Sequence, residues 1–312
     1  MKPLPLIALC CAIAGAAPVP ATAAAAKDKP QQAAAAPNWP SVKYEEKRPA
    51  VLRSGDLVVT LDTEPGSKPE YRVPTFKGVY QGRPIFTVRM PEKEDTDPEF
   101  AARVVRLDPK TALPQVVMTA YTNDAHCCIA TRIATALSPD SWEIVDAPPL
   151  DGEQGYVFRD IDGDGTAEMI SFDQNFFYSF ACYPCSYPPT RIAKLSGTQI
   201  ADVTADPKYR GFLRGVVAGL EKYARGERKL WHENGFLAGW VAAKSLVGEV
   251  DDAWKRMLAS YDRKADWPME TCTTGEANDK CPKDKLRQMS FPEALNRHLA
   301  ELGYPTPKAM RR

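Results

Sequence analysis

The sequence has few of the groups on which hydrolytic and phosphate-handling enzymes depend. Its 312 residues include only three histidines, His126, His232 and His298, which restricts the choice of a general base. It contains no glycine-rich phosphate loop, no Gly-x-Ser-x-Gly elbow and no His-Glu-x-x-His pair. Because these signatures of catalysis are missing, we expect a binding or structural protein rather than an enzyme.

An excess of charge of either sign is also missing. The chain has 40 Lys and Arg residues against 40 Asp and Glu residues, so no global basic field would hold nucleic acid or an anionic membrane. The apolar run at 4–17 is shorter than the roughly 20 residues that a membrane-spanning helix needs. The composition therefore predicts no nucleic-acid partner and no membrane insertion.

The same apolar run predicts export. Lys2 precedes it, and the small residues Ala21-Thr22-Ala23 follow it, an arrangement typical of a cleaved secretory signal. We predict a signal peptide over 1–23 and a periplasmic or secreted protein of roughly 289 residues. Residues 24–43, rich in Ala and Pro, are predicted to form a flexible lead-in.

Cysteine is present in a number that indicates disulfides. Two of the eight cysteines, Cys10 and Cys11, lie in the predicted signal. An even number remains after it, which in an oxidising compartment is typical of a disulfide framework. These six are Cys127, Cys128, Cys182, Cys185, Cys272 and Cys281. Cys272 and Cys281 are close in sequence, and we expect them to pair with each other.

The pairing of the other four cysteines is open. We favour bonds from Cys127 and Cys128 to Cys182 and Cys185, because a bond between adjacent residues departs from ordinary disulfide geometry. A bond between Cys182 and Cys185 is the alternative.

The apolar pattern divides the rest of the chain in two. From 44 to 204, some ten short segments separated by turn residues, 176–180 among them, predict a mainly antiparallel β domain. From 205 to 312, apolar residues such as Leu213, Val216 and Leu220 recur at helical spacing and predict an α-helical domain. The predicted fold class is α+β, an N-terminal β module followed by a helical domain.

A faint internal repeat refines the β prediction. Residues 107–117 resemble 161–170, and Thr131-Arg132-Ile133-Ala134 recurs as Thr190-Arg191-Ile192-Ala193. A spacing of about 55 residues is typical of stacked β units. We therefore expect propeller-like or sandwich units.

The strongest chemical signal is the segment 160–168, Asp-Ile-Asp-Gly-Asp-Gly-Thr-Ala-Glu. Carboxylates at its first, third and fifth positions can converge on one hard cation, while glycine at the sixth permits a sharp turn. Glutamate at the ninth position is the natural last ligand, because the twelfth, where an EF-hand has glutamate, is Ser171. Oxygen ligands in this number favour Ca²⁺. The predicted ligands are Asp160, Asp162, Asp164, Thr166 through its carbonyl, and Glu168.

This loop and the apolar strand after it resemble the calcium loop of FG-GAP/VCBS-type repeat proteins. The resemblance covers roughly residues 100–200. It implies a secreted β-propeller or related module in which the five loop residues bind a structural calcium ion. The related segment 108–115 retains only Asp108 of the carboxylates, so no site is transferred to it. Without a metal, the 160–168 loop can still form a polar hairpin turn with Asx bonds.

Other functions remain as alternatives. His126 and Cys128 would share one face of a strand, and with Cys182 or Cys185 they could hold Zn²⁺ or copper. Cys182-Tyr183-Pro184-Cys185 has the spacing of a redox CxxC motif. Disulfides with an ordinary histidine are the favoured interpretation. A hydrolase with paired carboxylates between the β and helical parts is a further alternative. Some of the aromatic residues between 172 and 187 could bind an unknown protein or glycan partner, although core packing is favoured.

Overall fold

Antiparallel strands build most of the chain that precedes its helices. The computed structural model describes residues 39–45, 48–94, 99–124, 127–152, 155–275 and 280–310. The predicted signal peptide, most of the predicted lead-in, and His126 lie outside these residues.

The described residues form sixteen strands and four α-helices. The strands are β1 Ser41–Lys43, β2 Ala50–Ser54, β3 Leu57–Pro65, β4 Tyr71–Tyr80, β5 Arg83–Arg89, β6 Lys93–Glu94, β7 Phe100–Val105, β8 Gln115–Asp124, β9 Cys127–Ser138, β10 Ser141–Leu150, β11 Val157–Arg159, β12 Glu168–Phe172, β13 Thr190–Ser196, β14 Gln199–Asp202, β15 Glu270–Cys272 and β16 Leu286–Gln288. The helices are α1 Arg210–Gly226, α2 Asn234–Leu246, α3 Val250–Ser260 and α4 Phe291–Glu301.

Three successive meanders account for most of these strands. Strands β2 to β5 pair in sequence order, with β6 added beside β4. Strands β7 to β10 form the second meander and take β1 at their edge, while β11 to β14 form the third. Every pairing within them is antiparallel. Short connections suffice for such pairing.

The middle meander buries both of its faces. Alternate residues of a strand point to opposite sides, and in β8 Met118 packs with Phe76 of the first meander. Its neighbour Val117 packs on the other side with Met169 and Leu195 of the third meander. The three sheets are therefore stacked as layers.

This stack corrects one part of the sequence prediction. Within the described ranges no closed propeller forms, so the propeller-like alternative is wrong there. The related segments 107–117 and 161–170 instead lie in the β7–β8 and β11–β12 hairpins. The two copies of the repeated tetrapeptide, 131–134 and 190–193, lie in β9 and β13. The repeat therefore corresponds to successive stacked sheets. A propeller needs four or more such sheets around a channel.

The predicted strand at 176–180 is also wrong. Residues Gln174–Phe176 form a 3-10 turn, which Asp173 caps by accepting a hydrogen bond from the Asn175 backbone N–H. Tyr178 then has φ +58°, a left-handed conformation that ends any extended run. Two aromatic residues of this segment, Phe176 and Phe180, are instead buried against the helices.

The C-terminal part is helical, as predicted, and it covers the outer face of the third meander. Ile192 of β13 packs there with Leu213 and Val217 of α1. The described chain is thus β-rich with a C-terminal helical region of four helices, which confirms the coarse prediction. The division into two domains at 204/205 stays a prediction. No helix of the described residues has both the length and the apolar content needed to cross a bilayer.

Helix α2 approaches a neighbouring segment through two glycines four residues apart. A Cβ atom added to Gly235 would lie 2.2 Å from the Cys185 carbonyl oxygen, and one added to Gly239 would lie 1.6 Å from the Tyr187 carbonyl oxygen. Both distances are far below van der Waals contact. The helix backbone therefore rests directly on the 185–187 segment.

This close approach predicts that Gly239→Ala destabilises the fold. We expect the free energy of unfolding to fall by about 2 kcal/mol, because the Tyr187 backbone must move to admit a methyl group. Guanidinium chloride unfolding measures the change. Gly219→Ala in α1 is the matched control, since no atom outside the helix's own backbone lies within 4 Å of the added Cβ, and it should stabilise by up to about 1 kcal/mol. Equal effects of the two substitutions would refute the contact.

Candidate functional site

The 160–168 loop is the turn that connects β11 to β12. Asp160 organises it: its Oδ1 accepts a hydrogen bond from the Gly163 N–H at 2.7 Å, and its Oδ2 accepts one from the Gly165 N–H at 3.0 Å. Gly163 and Gly165 have φ values of +76° and +83°, a conformation in which other residues are strained. The polar turn expected from Asx bonds is therefore present.

Three of the five predicted ligands come together in this loop. Carboxylate oxygens of Asp160, Asp162 and Glu168 lie within 4.8 Å of one another. Asp164 is not in this group, and its Oδ1 accepts hydrogen bonds from the Thr166 N–H at 2.8 Å and from the Thr166 hydroxyl at 2.5 Å. Hard oxygen donors at this spacing can hold a cation such as Ca²⁺.

Two lysines also face these carboxylates. The Lys194 Nζ lies 2.8 Å from Asp164 Oδ2, 2.9 Å from Glu168 Oε1 and 3.6 Å from Asp162 Oδ2. The Lys208 Nζ lies 2.7 Å from Asp162 Oδ2. The four carboxylates of the loop and the two ammonium groups together carry a formal charge of −2.

Glu168 is the most deeply buried member of the cluster. It is 0% exposed, and a buried carboxylate is costly unless it is paired and hydrogen-bonded. Its Oε2 accepts from the Ile161 N–H at 2.7 Å, and its Oε1 accepts from the Tyr209 hydroxyl at 3.0 Å in addition to facing Lys194. Both oxygens are therefore satisfied.

The pKa values of the cluster follow from these contacts. Partial burial alone would raise the pKa of Asp164, but hydrogen bonds from Lys194 and Thr166 outweigh it and lower that pKa to about 2. Partial burial would lower the pKa of Lys194, yet the bonds to Asp164 and Glu168 raise it. Burial raises the pKa of Tyr209 to about 12, so its hydroxyl remains a donor to Glu168.

The sequence did not reveal the lysines or Tyr209 as members of the site. Lys194 is 30 residues from Asp164, and Tyr209 is 41 residues from Glu168. No local pattern links them. One signal was present in the sequence. Alternation along β13 places Lys194 on the same face as Ile192, which is the face that α1 covers.

The cysteines pair locally. Disulfides join Cys127 to Cys128, Cys182 to Cys185, and Cys272 to Cys281. The last is the expected pair.

The preferred cross-pairing of the other four cysteines is wrong. Residues Tyr183–Cys185 form a 3-10 turn in which the Cys185 N–H donates to the Cys182 carbonyl at 2.9 Å. This turn brings the two Cα atoms to 5.0 Å, within the usual disulfide range. Cys127 and Cys128 bond to each other at the start of β9. The Cys/His metal alternative needs free thiolates, and these four sulfurs are bonded.

A second buried charge ties the third meander to the C-terminal segment. The Asp173 Oδ2 accepts from the Arg191 Nη2 at 2.7 Å and from the Tyr304 hydroxyl at 2.8 Å, and its Oδ1 accepts from the Asn175 side chain at 2.8 Å. Burial alone would raise the pKa of Asp173, but the charge of Arg191 and these hydrogen bonds lower it. The side chain of Asp173 is 3% exposed, so this is a buried ion pair.

The two histidines that the structure describes, His232 and His298, lie in different surroundings. His298 lies among Phe176 and Phe180 with ring centroids at 4.8 and 5.1 Å, and burial lowers its pKa. His232 is exposed, and its Nδ1 lies 2.9 Å from the Ser260 carbonyl oxygen.

The fold and site define a β-rich, disulfide-bonded protein with an acidic loop set against a helical region. Residues 202–303 match the family described as the sll0997 C-terminal domain. A "Probable thylakoid lumen protein sll0997" from Synechocystis sp. is 30% identical over 274 residues, covering 83% of this chain and 77% of that protein. The chain belongs to the sll0997 family.

A second relative is considerably longer than the aligned region. The "Uncharacterized protein y4bJ" from Sinorhizobium fredii is 35% identical over 274 residues, covering 87% of this chain and 42% of that protein. The chain thus spans less than half of y4bJ. No solved structure matches the chain.

These relationships overturn the resemblance to FG-GAP/VCBS-type proteins. That resemblance rested on a nine-residue loop and the short strand after it, whereas the relatives align over 274 residues. A short acidic turn can join two strands in unrelated proteins, so sharing such a turn does not show common descent. The family match also covers the helical region, which the loop resemblance left out.

The observed disulfides predict a definite tryptic map. Under non-reducing conditions the peptides 111–132 and 160–191 should be recovered separately, each with an internal disulfide, because each contains both members of a pair. Mass spectrometry distinguishes this from cross-pairing, which would join them. The control is the Cys272–Cys281 bond, which should link 265–280 to 281–283. Recovery of a joined 111–132 and 160–191 species would contradict the local pairing.

The buried ion pair predicts a large effect of Asp173→Asn. We expect a loss of about 3 kcal/mol in the free energy of unfolding, since Arg191 and Tyr304 lose their charged acceptor. Asp202→Asn is the control, because Asp202 meets the same arginine at 3.2 Å but is 55% exposed, and it should cost at most about 1 kcal/mol. Similar losses in both variants would argue against the buried pair.

The same pair predicts a pH dependence. Folding lowers the pKa of Asp173, so its stabilisation is present above the unfolded value near pH 4 and is lost as pH falls through the folded pKa. Urea unfolding as a function of pH should therefore show a shallower loss below about pH 4 in Asp173→Asn than in the wild type. Parallel curves would contradict the lowered pKa.

Proposed function

We propose that this chain is an exported, disulfide-stabilised binding or structural protein of the periplasm or a comparable lumen, and that its 160–168 loop binds a structural calcium ion. The relative named as a probable thylakoid lumen protein supports the location. The three disulfides support it as well, because disulfides persist in oxidising compartments.

The convergence of Asp160, Asp162 and Glu168 within 4.8 Å is the observation that carries the calcium proposal. These are hard oxygen ligands, which Ca²⁺ prefers, with no nitrogen or sulfur donor among them. The residual charge of −2 left by the two lysines equals the charge that one such ion neutralises. Lys194 faces the same carboxylates, and its flexible four-carbon stem allows the ammonium group to withdraw when a divalent ion enters.

The contacts of the loop support a structural role for the ion. Glu168 and Asp162 bond to Tyr209 and Lys208, which directly precede α1. An ion between the carboxylates would therefore stiffen the junction of the third meander with the helical region. Cancelling carboxylate repulsion at that junction stabilises the folded state.

The hydrolase alternative has no comparable support. A general acid needs a carboxyl group with a raised pKa in a cleft. Among the described residues, the carboxyl groups with clearly shifted pKa values all have lowered ones. They are Glu92, Asp164, Asp173 and Glu293.

Calcium should raise the melting temperature relative to EDTA. Saturating Ca²⁺ stabilises by the binding free energy, and each kcal/mol is worth about 2–4 °C for a chain of this size. Differential scanning calorimetry in millimolar CaCl₂ or in EDTA measures the shift, with MgCl₂ as the competing ion.

The variants make this experiment specific to the loop. Asp162→Ala should abolish the rise, because Asp162 is one of the three converging ligands. Asp140→Ala should retain it, since Asp140 is an exposed carboxylate that pairs with Arg83 elsewhere. A melting temperature that is the same in calcium and in EDTA would show that the loop is a polar turn without a metal.

A further inference from the structure

A pocket in the helical region gathers positive charge. It has a volume of about 520 Å³ and lies where the end of α1, the turn Arg228–His232 and the end of α3 meet. Arg225, Arg228 and Arg256 line it together with Trp231 and His232. No carboxylate is among its lining residues. The whole pocket falls inside the segment that matches the sll0997 C-terminal domain.

The three arginines are not paired with carboxylates in the described part of the chain. None of them makes an ion pair or a side-chain hydrogen bond there, whereas Arg191 and Arg287 are each bonded to carboxylates. Like charges that share one pocket repel one another. An anion that enters the pocket removes this repulsion.

Arg256 is fixed in place without being neutralised. Its guanidinium carbon lies 3.3 Å from the centre of the Trp231 ring and 5.5 Å from that of Trp240. Trp231 is itself held by edge-to-face contacts with Phe236 and Trp240, at 5.3 and 5.1 Å between centroids. Stacking on an aromatic face leaves the N–H groups at the guanidinium edge free to donate.

His232 is also held in place, by a hydrogen bond rather than by stacking. Its Nδ1–H donates to the Ser260 carbonyl at 2.9 Å, because a carbonyl oxygen can only accept. The ring is thereby tied to the end of α3 at the pocket wall. Arg256 and His232 are therefore positioned before any ligand arrives, which reduces the ordering that binding requires.

Helix dipoles do not explain the whole cluster. Arg225 lies in the last turn of α1, where a cation is favoured by the partial negative charge of the helix end. That interaction is worth at most about 1 kcal/mol at an exposed position. Arg228 lies outside the α-helices, in the 3-10 turn, and gains no such stabilisation. The three arginines therefore form a cluster of positive charge that helix dipoles offset only in part.

We propose that this pocket binds a phosphate group. The planar N–H fork of arginine matches the oxygens of a phosphate and binds them through short, charge-assisted hydrogen bonds. Three such forks suit an anion that carries more than one charge. The group could belong to free inorganic phosphate or to an anionic phospholipid headgroup, and the test separates these sources.

The test uses the full chain and two double variants. Arg225→Gln/Arg228→Gln removes two pocket charges from exposed side chains. Arg210→Gln/Lys222→Gln is the matched control, since it removes two exposed charges from α1 that do not line the pocket. Isothermal titration with inorganic phosphate at low ionic strength measures binding, and sedimentation with phosphatidylglycerol or phosphatidylcholine vesicles measures lipid association. Melting temperatures establish that both variants are folded.

We expect saturable binding of phosphate, or of phosphatidylglycerol but not phosphatidylcholine vesicles. The pocket variant should weaken it by about tenfold or more, as expected when charge-assisted hydrogen bonds are lost, while the control variant stays close to the wild type. Binding to the vesicles alone identifies the lipid headgroup as the source. Absence of binding to both probes, or equal weakening in the two variants, would overturn the proposal.

Discussion

The buried carboxylate of Glu168 is the constraint around which the centre of the molecule is arranged. A fully buried carboxylate must be paired and hydrogen-bonded, and its partners come from three separate parts of the chain, Ile161, Lys194 and Tyr209. The loop, the neighbouring strand and the start of the helical region are therefore fixed relative to one another by one group. The stacking of the third meander against α1 depends on that arrangement.

The helical region is attached a second time through backbone contact. Gly235 and Gly239 leave α2 without side chains where the carbonyl groups of Cys185 and Tyr187 approach. The Cys182–Cys185 disulfide closes the turn that presents the first of these carbonyls. A disulfide-closed turn is less free to fluctuate than an open one, so the glycine face meets a surface of constant shape. The disulfide and the close glycine packing therefore stabilise the same contact, between α2 and the 185–187 segment.

Local features of the fold could be predicted from the sequence, and contacts between distant segments could not. Period-2 and helical patterns identified the β-rich part and the C-terminal helical region, because those patterns record which face is buried. The exception at 176–180 arose because Asp173 caps a 3-10 turn within an aromatic run that resembles a strand. The contacts of Lys194 and Lys208 with the acidic loop depend on the tertiary fold, which spacing along the chain does not encode. The family was missed because a nine-residue loop carries too little information to define descent.

A net charge of zero hides two opposite clusters at the two ends of α1. The acidic loop contacts Lys208 and Tyr209 just before the helix, and Arg225 lies in its last turn. A helix of 17 residues is about 25 Å long, several times the screening length of about 8 Å at physiological salt. The clusters therefore do not cancel each other. Each lies at the end of the helix whose partial charge it complements, so the helix itself favours their separation. Equal numbers of positive and negative residues exclude a strong electrostatic field of one sign around the whole protein. Each end of α1 can nevertheless attract a ligand of the opposite charge.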